Sequence, residues 1–582
     1  MRRTKIVATL GPASEDLETL TAMIQAGVDV VRINLSHGAL DDHRRLVAAS
    51  RAAAARAGKR FVATLFDTRG PEIRVGELGP EGLDLAPGTR VVLTADGAGE
   101  PGVVPVSYAG LAEAVRAGET ILLDDGNLVF EVERVAGQRV ECRVIAGGRL
   151  LSRKKVTLPR PPADLPPLVD DDLADLRLGA ELGIDFVAAS FVRAADDILS
   201  VRRVIEQFGG DQAIVAKFEN ASAVENMEAI LEVADAVMVA RGDLGVELPP
   251  EEVPVIQKRL IAACNRLGKP VITATQMLES MVVHARPTRA EASDVANAIF
   301  DGSDAVMLSA ETAVGRYPIE AVRVMARIAE RAERELDHDG WLRRTGPRQQ
   351  PTITDAISFA CCSTARALGA AAILTATQSG HTARMVSRYR PSAPIVAATP
   401  VEGVARKLSL VWGVTPVVVP ATRITDEMIS IAVEAAQAAG LIKPGALVVM
   451  TAGVPVGVPG TTNLVQVLTV GEVLVHGTGI GRQSRTATAR VATHLDELRA
   501  FDDGDILVTP AINPEWMPWV ERAGGLVVEE GGLTSQAAIA ALHFGIPAVV
   551  GAEGATRRIA DGAVITIDSR TGTVYRGRVT IR

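Results

Sequence analysis

Val215–Leu248, reading VAKFENASAVENMEAILEVADAVMVARGDLGVEL, holds two apolar runs with an amphipathic segment between them. Ile214, Val215 and Ala216 lead into Lys217, Phe218 and Glu219, and the mostly apolar Asp235–Ala240 leads into Arg241, Gly242 and Asp243. Ser222 and Glu225 have capping-box spacing, and Val224, Met227, Ile230 and Leu231 recur near the helical period, so a helix is expected over Ser222–Val233. Strand, helix and strand in this order form the βαβ unit of a parallel sheet. Lys217 and Glu219 are two apart and share a face if the strand extends that far. A single charge at a strand end is ordinarily a solvated edge. Several at the same ends of consecutive parallel strands suggest a site.

The same rhythm extends in both directions. Upstream, strands are expected at Lys5–Leu10, Val28–Ile33 and Arg60–Phe66, with helices at Glu15–Ala26 and Leu40–Ala57. Downstream, strands are expected at Phe186–Ala189, Ala213–Phe218, Ala236–Ala240, Pro270–Thr275 and Ala305–Leu308. Their helices fall near Asp171–Leu182, Asp196–Phe208, Val253–Leu267 and Thr288–Ile299, with Thr288 and Glu291 again at capping-box spacing. Eight βα units over about 250 residues make an α/β TIM barrel. The rival, a doubly wound open sheet, lacks a GxGxxG near the N-terminus. Between about Gly70 and Leu158 short β-like runs (Arg90–Leu93, Thr120–Leu123, Leu128–Val135, Arg139–Val144) are punctuated by glycine, which predicts an inserted all-β lid domain. The expected division is 1–70 with 159–336 for the barrel and 71–158 for the lid.

A helix over Pro318–Leu336 ends the barrel, with proline in its first turn, and Asp337–Gln350 reads as a polar linker. An α/β domain is expected over 352–471, with strands at Ala372–Thr375, Ile395–Ala398, Thr415–Val419 and Ala446–Thr451. Ser379-Gly380-His381-Thr382 opens a helix over Ala383–Tyr389, placing hydroxyls and backbone N–H groups where a phosphate can bind or where they merely cap. The glycine-rich Thr451–Asn463 is a candidate second wall. A last β-rich domain is expected over 473–582.

The 582 residues are 47% apolar and 23% charged, ample for folded cores. A formal charge of −9 gives no field favouring nucleic acid, so a phosphate ligand needs local cations. Cys142, Cys264, Cys361 and Cys362 have neither metal-ligand nor disulfide-framework spacing and read as buried free thiols. No run has the length of a signal peptide core or a membrane span, so a cytoplasmic protein with no membrane partner is expected.

Barrel enzymes carry their chemistry at the C-terminal ends of the strands. Those ends here offer Arg32, Asn34 and Ser36; Asp67 and Thr68; Lys217 and Glu219; Arg241 and Asp243; Thr275 and Gln276; Ser309 and Glu311. Glu219 and Asp243 are hard oxygen ligands without a Cys/His cluster and suit Mg2+ or Mn2+, unless Glu219 simply pairs with Lys217. Asn34, Ser36, Asp67 and Thr68 suit a second cation of low charge, or form an Asx-type turn. Arg32, Arg74, Lys217 and Arg241 add positive charge to the rim. Metal and cations together fit phosphoryl transfer on a small phosphorylated carboxylate. A Schiff-base lysine would have little use for the acidic pair.

At these residues the chain resembles the pyruvate kinases over about 1–471. The matching stretches are RRTKIVATLGPAS, VDVVRINLSHG, DTRGPEIR, LLDDG, AKFEN, VMVARGDLGVELP, ITATQMLESM, PTRAEASDVANAIFDGSDAVMLSAETAVGRYP and VSRYRPSAPIVAATP. The resemblance implies transfer of the phosphoryl group of phosphoenolpyruvate to ADP, giving pyruvate and ATP. It implies that Lys217 stabilises the group in transfer and the enolate, and that Glu219 and Asp243 hold the divalent ion. Backbone N–H groups at Arg241, Gly242 and Asp243, with the Thr275 hydroxyl, would seat the carboxylate. Asn34, Ser36, Asp67 and Thr68 would hold K+, and Arg32 with His37 and Arg74 would face nucleotide and substrate phosphates. Thr275 with Ser309 and Glu311 would carry a proton through water. Thr375, Thr377, Ser379, Gly380, His381 and Thr382 resemble the loop for a phosphorylated effector, AMP or a sugar monophosphate. The family is usually a homotetramer.

The family pattern is broken in places. Arg69 stands for its lysine and Ala310 for its glycine, and SRKKVTLPR replaces KKGVNLPG at the return from the lid. The last domain resembles the phosphohistidine domain of phosphoenolpyruvate-utilising enzymes, but GGLTSHAAI reads GGLTSQAAI, with Gln536 where the histidine belongs. An amide cannot become a phosphohistidine, so this domain is expected to be silent in catalysis.

Overall fold

Side chains alternate in and out along each barrel strand, and that alternation builds the molecule's first layer. In the computed structural model eight parallel strands close into a barrel: β1 (Lys5–Thr9), β2 (Val30–Asn34), β3 (Ala63–Asp67), β4 (Phe186–Ala189), β5 (Ala213–Phe218), β6 (Ala236–Ala240), β7 (Val271–Ala274) and β8 (Ala305–Leu308). The structure describes residues 2–96, 102–159, 165–346, 351–455, 462–498, 500–577 and 579. Neighbours pair in register around the ring, with Lys217 opposite Met238 and Asn34 opposite Asp67. Val30, Leu65, Phe186, Ala188, Val215, Met238, Ile272 and Met307 fill the interior. The alternate residues Ile33, Phe66, Ile214, Ala216 and Phe218 pack outward in the core shared with the helices. Because the period is two, the inward row that begins with Val215 continues to Lys217. The same count brings Arg32, Asn34 and Asp67 to the mouth.

Several local readings change. The helix after β5 is capped by Asn220, not Ser222: its Oδ1 accepts the Ala223 N–H at 2.8 Å while its Nδ2 donates to the Val192 carbonyl at 3.0 Å. An asparagine satisfied on both sides outcompetes a serine already inside the turn. That helix is also broken into Ala221–Glu225 and Met227–Val233. The Thr288–Glu291 capping box is present as expected. The expected linker is largely helix, His338–Thr345, because the Asp337 carboxylate accepts the Gly340 N–H at 2.7 Å and Leu342 is buried. Its last part, 347–350, lies outside the described residues.

The inserted segment forms a six-stranded sheet around Leu93, Ile121, Leu123, Phe130 and Val140. By its contacts the chain divides into two units: Met1–Gly346 with Ser379–Arg390 and Val401–Pro416, and Pro347–Gln378 with Pro391–Pro400 and Val417–Arg582. In the second unit, parallel strands Ala372–Ala376, Ile395–Thr399 and Leu447–Gly453 are joined by the antiparallel Thr462–Thr469, which sequence reading missed. The glycine-rich part of Thr451–Asn463, 456–461, and Arg160 at the lid return lie outside the described residues. An eight-stranded sheet follows. Gln536 opens the helix Gln536–Phe544 on its exposed side, and His543 lies near the other end. All four cysteines are free and buried. Among the described residues no helix is long and apolar enough to cross a membrane.

Candidate active site

Lys217 is the centre of the barrel mouth. Its Nζ lies 2.9 Å from Asp67 Oδ1 and 2.8 Å from Glu219 Oε1, and donates to Ser190 Oγ at 2.7 Å. Burial disfavours this ammonium, but the carboxylates of Asp67 and Glu219 hold it well above the usual lysine range. Burial likewise works against the Asp67 carboxylate, yet Arg32 and Lys217 keep it below its ordinary value. Glu219 goes the other way. Its burial, with Asp243 nearby, raises it despite Lys217 and the Phe191 N–H, which donates to Oε2 at 2.7 Å.

Arg32 completes the cluster, donating to Asp67 Oδ2 at 2.6 Å and to Thr9 Oγ1 at 2.9 Å. A cavity of about 760 Å³ opens over these groups, lined among others by Arg32, Asn34, His37, Asp67, Lys217, Glu219, Asp243, Thr275 and Ser309. Asp243, in the short helix Arg241–Glu247 that follows β6, is paired with Lys155 at 2.5 Å. Thr275 sits at φ 64°, a left-handed conformation unusual for a β-branched residue. Its hydroxyl accepts the Gly242 N–H at 2.8 Å. The Ser309 hydroxyl is buried without a hydrogen-bond partner among the described residues.

Other expected residues lie elsewhere. Arg241 does not add its charge to the cavity, because its guanidinium is held by Asp294 at 2.7 Å and by the Ala274 and Thr275 carbonyls. It lines a separate space of about 980 Å³ together with Gly242. Arg74 is tied to Glu72 and to the Arg153 carbonyl, outside the cavity lining. Glu311 is fully buried, with its oxygens accepting the Leu278 and Ser309 N–H groups at 3.0 and 2.7 Å. It shapes the loop and does not line the cavity. Thr68 bonds Ala188 and Ser190, and Ser36 is exposed. In the second unit Thr375 and Thr377 are buried. In the first, Ser379 and Gly380 precede the helix His381–Ser387.

Sequence reasoning missed Ser190, Thr9 and Lys155. Ser190 follows β4 and Thr9 ends β1, so the strand-end rule applied to every strand would have found both. Lys155 gave no such signal.

At the cavity wall, His43 Nδ1 lies 2.9 Å from Asp175 and Nε2 2.9 Å from the His37 carbonyl. Burial opposes the imidazolium, but the hydrogen bonds to Asp175 and His37 raise it above its ordinary value. A raised histidine stabilises fully below its unfolded value of about 6.5, and the gain fades as pH rises through the folded value. His43→Gln should therefore cost roughly 1.5–3 kcal/mol at pH 6 and less at pH 9. Urea midpoints of both proteins at the two pH values check this.

The fold and site define a barrel enzyme with a mixed-charge, phosphate-suited mouth. Residues 1–322 match the family model "Pyruvate kinase, barrel domain", 355–468 "Pyruvate kinase, alpha/beta domain", and 501–572 "PEP-utilising enzyme, mobile domain". The chain is 50% identical over 585 residues to a pyruvate kinase of Geobacillus stearothermophilus, covering 100% of both. Identity is 47% over 586 residues to that of Bacillus licheniformis, again covering 100% of both. It is 44% over 581 residues to that of Staphylococcus aureus (strain MRSA252), covering 99% of both. The chain belongs to the pyruvate kinase family.

Proposed function

We infer that this chain passes the phosphoryl group of phosphoenolpyruvate to ADP in the barrel mouth, giving pyruvate and ATP. The observation that carries the reading is the Lys217 cluster with Asp67, Glu219 and Ser190, in a chain of this family. The enol-phosphate P–O bond breaks, a bond forms to a terminal oxygen of ADP, and the enolate carbon takes a proton. Negative charge grows on the oxygens around phosphorus and on the enolate. The Lys217 ammonium, held in place by three partners, meets that charge without reorganising.

Glu219 and Asp243 are hard donors beside one cavity, each now balanced by an ammonium, so their charge and chemistry suit Mg2+ or Mn2+. When bound, the ion would polarise phosphoryl and carboxylate oxygens. The Gly242 N–H donates to the Thr275 hydroxyl, which donates in turn to the Ala274 carbonyl at 2.7 Å, so both donors would have to leave these partners to seat the substrate carboxylate. Arg32 and His37 line the cavity where phosphates would lie. The unpartnered Ser309 hydroxyl is suited to hold a water near the enolate, with Glu311 positioning its backbone. Asn34, Ser36, Asp67 and Thr68 are the oxygen set proposed for K+; Asn34 and Asp67 line the cavity, while Asn34 Oδ1 accepts the Ser36 N–H at 3.2 Å in the alternative Asx-type turn. Ser379–Thr382 is proposed to take a phosphorylated effector, and the assembly is proposed to be a homotetramer. Gln536 supports a last domain without phosphohistidine chemistry.

Pyruvate release from phosphoenolpyruvate and ADP, with and without Mg2+ and K+, tests the reading. Turnover requiring Mg2+ and rising with K+ is expected. No pyruvate under any of these conditions would refute it.

A further inference from the structure

Lys155 stands where the pattern KKGVNLPG has its glycine, so the third residue of that pattern carries an ammonium in this chain. The side chain is placed with care. Its Nζ lies 2.5 Å from Asp243 Oδ1 and 4.7 Å from the centre of the Phe191 ring, and Phe191 is the residue whose N–H holds Glu219. Phe191 takes φ 54°, a strained value for an aromatic residue, and so keeps its ring beneath the ammonium. The backbone of Lys155 is fixed as well: its carbonyl accepts the Asp124 N–H at 3.0 Å, and it bridges Arg74 at the root of the lid. Burial disfavours the Lys155 charge, but Asp243, with Glu219 and Glu72 further away, raises it above the ordinary lysine range.

We propose that Lys155 is a built-in competitor of the divalent cation, occupying Asp243 until the cation displaces it and thereby linking the lid root to the metal site. This rests on the reading that Glu219 and Asp243 hold that cation. A glycine at this place has nothing to displace. Here the ion–carboxylate contact forms only as the ammonium–carboxylate contact breaks, which lowers apparent affinity for the ion. As Lys155 immediately precedes the strand Val156–Thr157 at the return from the lid, the exchange also frees a tie between lid and rim.

The test is direct Mn2+ binding to the full-length chain by calorimetry, without substrates, in wild type, Lys155→Met, Lys155→Arg and Asp243→Asn, each checked for an unchanged circular dichroism spectrum. Lys155→Met should bind Mn2+ about 5- to 30-fold more tightly, the range expected for removal of one partly screened neighbouring charge. Lys155→Arg should stay within about twofold of wild type, and Asp243→Asn should lose most binding. Equal or weaker binding by Lys155→Met, with Asp243→Asn impaired, would overturn the competitor role alone. Undiminished binding by Asp243→Asn would overturn the metal reading beneath it.

Discussion

Arg390→Met should destabilise the barrel unit by about 3–5 kcal/mol, the usual cost of stranding one partner of a buried ion pair. Arg390 and Asp304 are 3% and 5% exposed and lie 3.2 Å apart. The guanidinium also donates to Asn265 Oδ1 at 2.8 Å and to the Gly302 carbonyl at 2.6 Å. Asp304 in turn accepts the Trp412 N–H at 3.1 Å and the Val271 N–H at 3.1 Å, at the start of β7. Methionine fills a similar volume but removes the cation that faces Asp304 and the donor to the Asn265, Gly302 and Ser387 oxygens. Chemical denaturation followed by tryptophan fluorescence should show the midpoint fall sharply. A change below about 1 kcal/mol would mean that solvent reaches Asp304.

The largest effect on activity is expected from Lys217→Met. Removing one pre-organised donor to developing charge commonly costs 10²- to 10³-fold in turnover. Here the donor carries a full charge, so the loss should be at least about 10³-fold. It should fall mainly on kcat, because Lys217 meets charge that grows during transfer, while the carboxylate and nucleotide contacts of the ground state remain. Steady-state pyruvate formation at saturating substrates measures it. Lys217→Arg should rescue little, since a planar fork cannot take the three-way seat formed by Asp67, Glu219 and Ser190.

The barrel was legible because strand alternation and capping are local. Phe186–Ala189, Ala213–Phe218, Ala236–Ala240 and Ala305–Leu308 have the expected bounds. The rule that chemistry gathers at strand ends also brought Lys217, Glu219, Asp67 and Arg32 together. What escaped depended on which way long side chains turn. Nothing in RGDLGVEL tells that Arg241 swings out to Asp294 while Asp243 stays at the cavity, for both choices satisfy the local helix. Glu311 was legible as a carboxylate near the site, but two backbone N–H groups claim its oxygens. Lys155 is distant in sequence from Asp243, and only the return of the lid strand brings them together. The helix His338–Thr345 reads as linker because it is short and polar, and only the burial of Leu342 and the Asp337 cap set it apart.

In the proposed reaction the phosphoryl group passes directly from phosphoenolpyruvate to ADP in the barrel, with no phosphorylated protein in the last domain. Rapid quenching of the full-length chain with phosphorus-labelled phosphoenolpyruvate, ADP, Mg2+ and K+ tests it most directly. One labelled ATP is expected for each pyruvate, with no label on the protein at any time. Label accumulating on the chain before it reaches ATP, or pyruvate forming without labelled ATP, would contradict it.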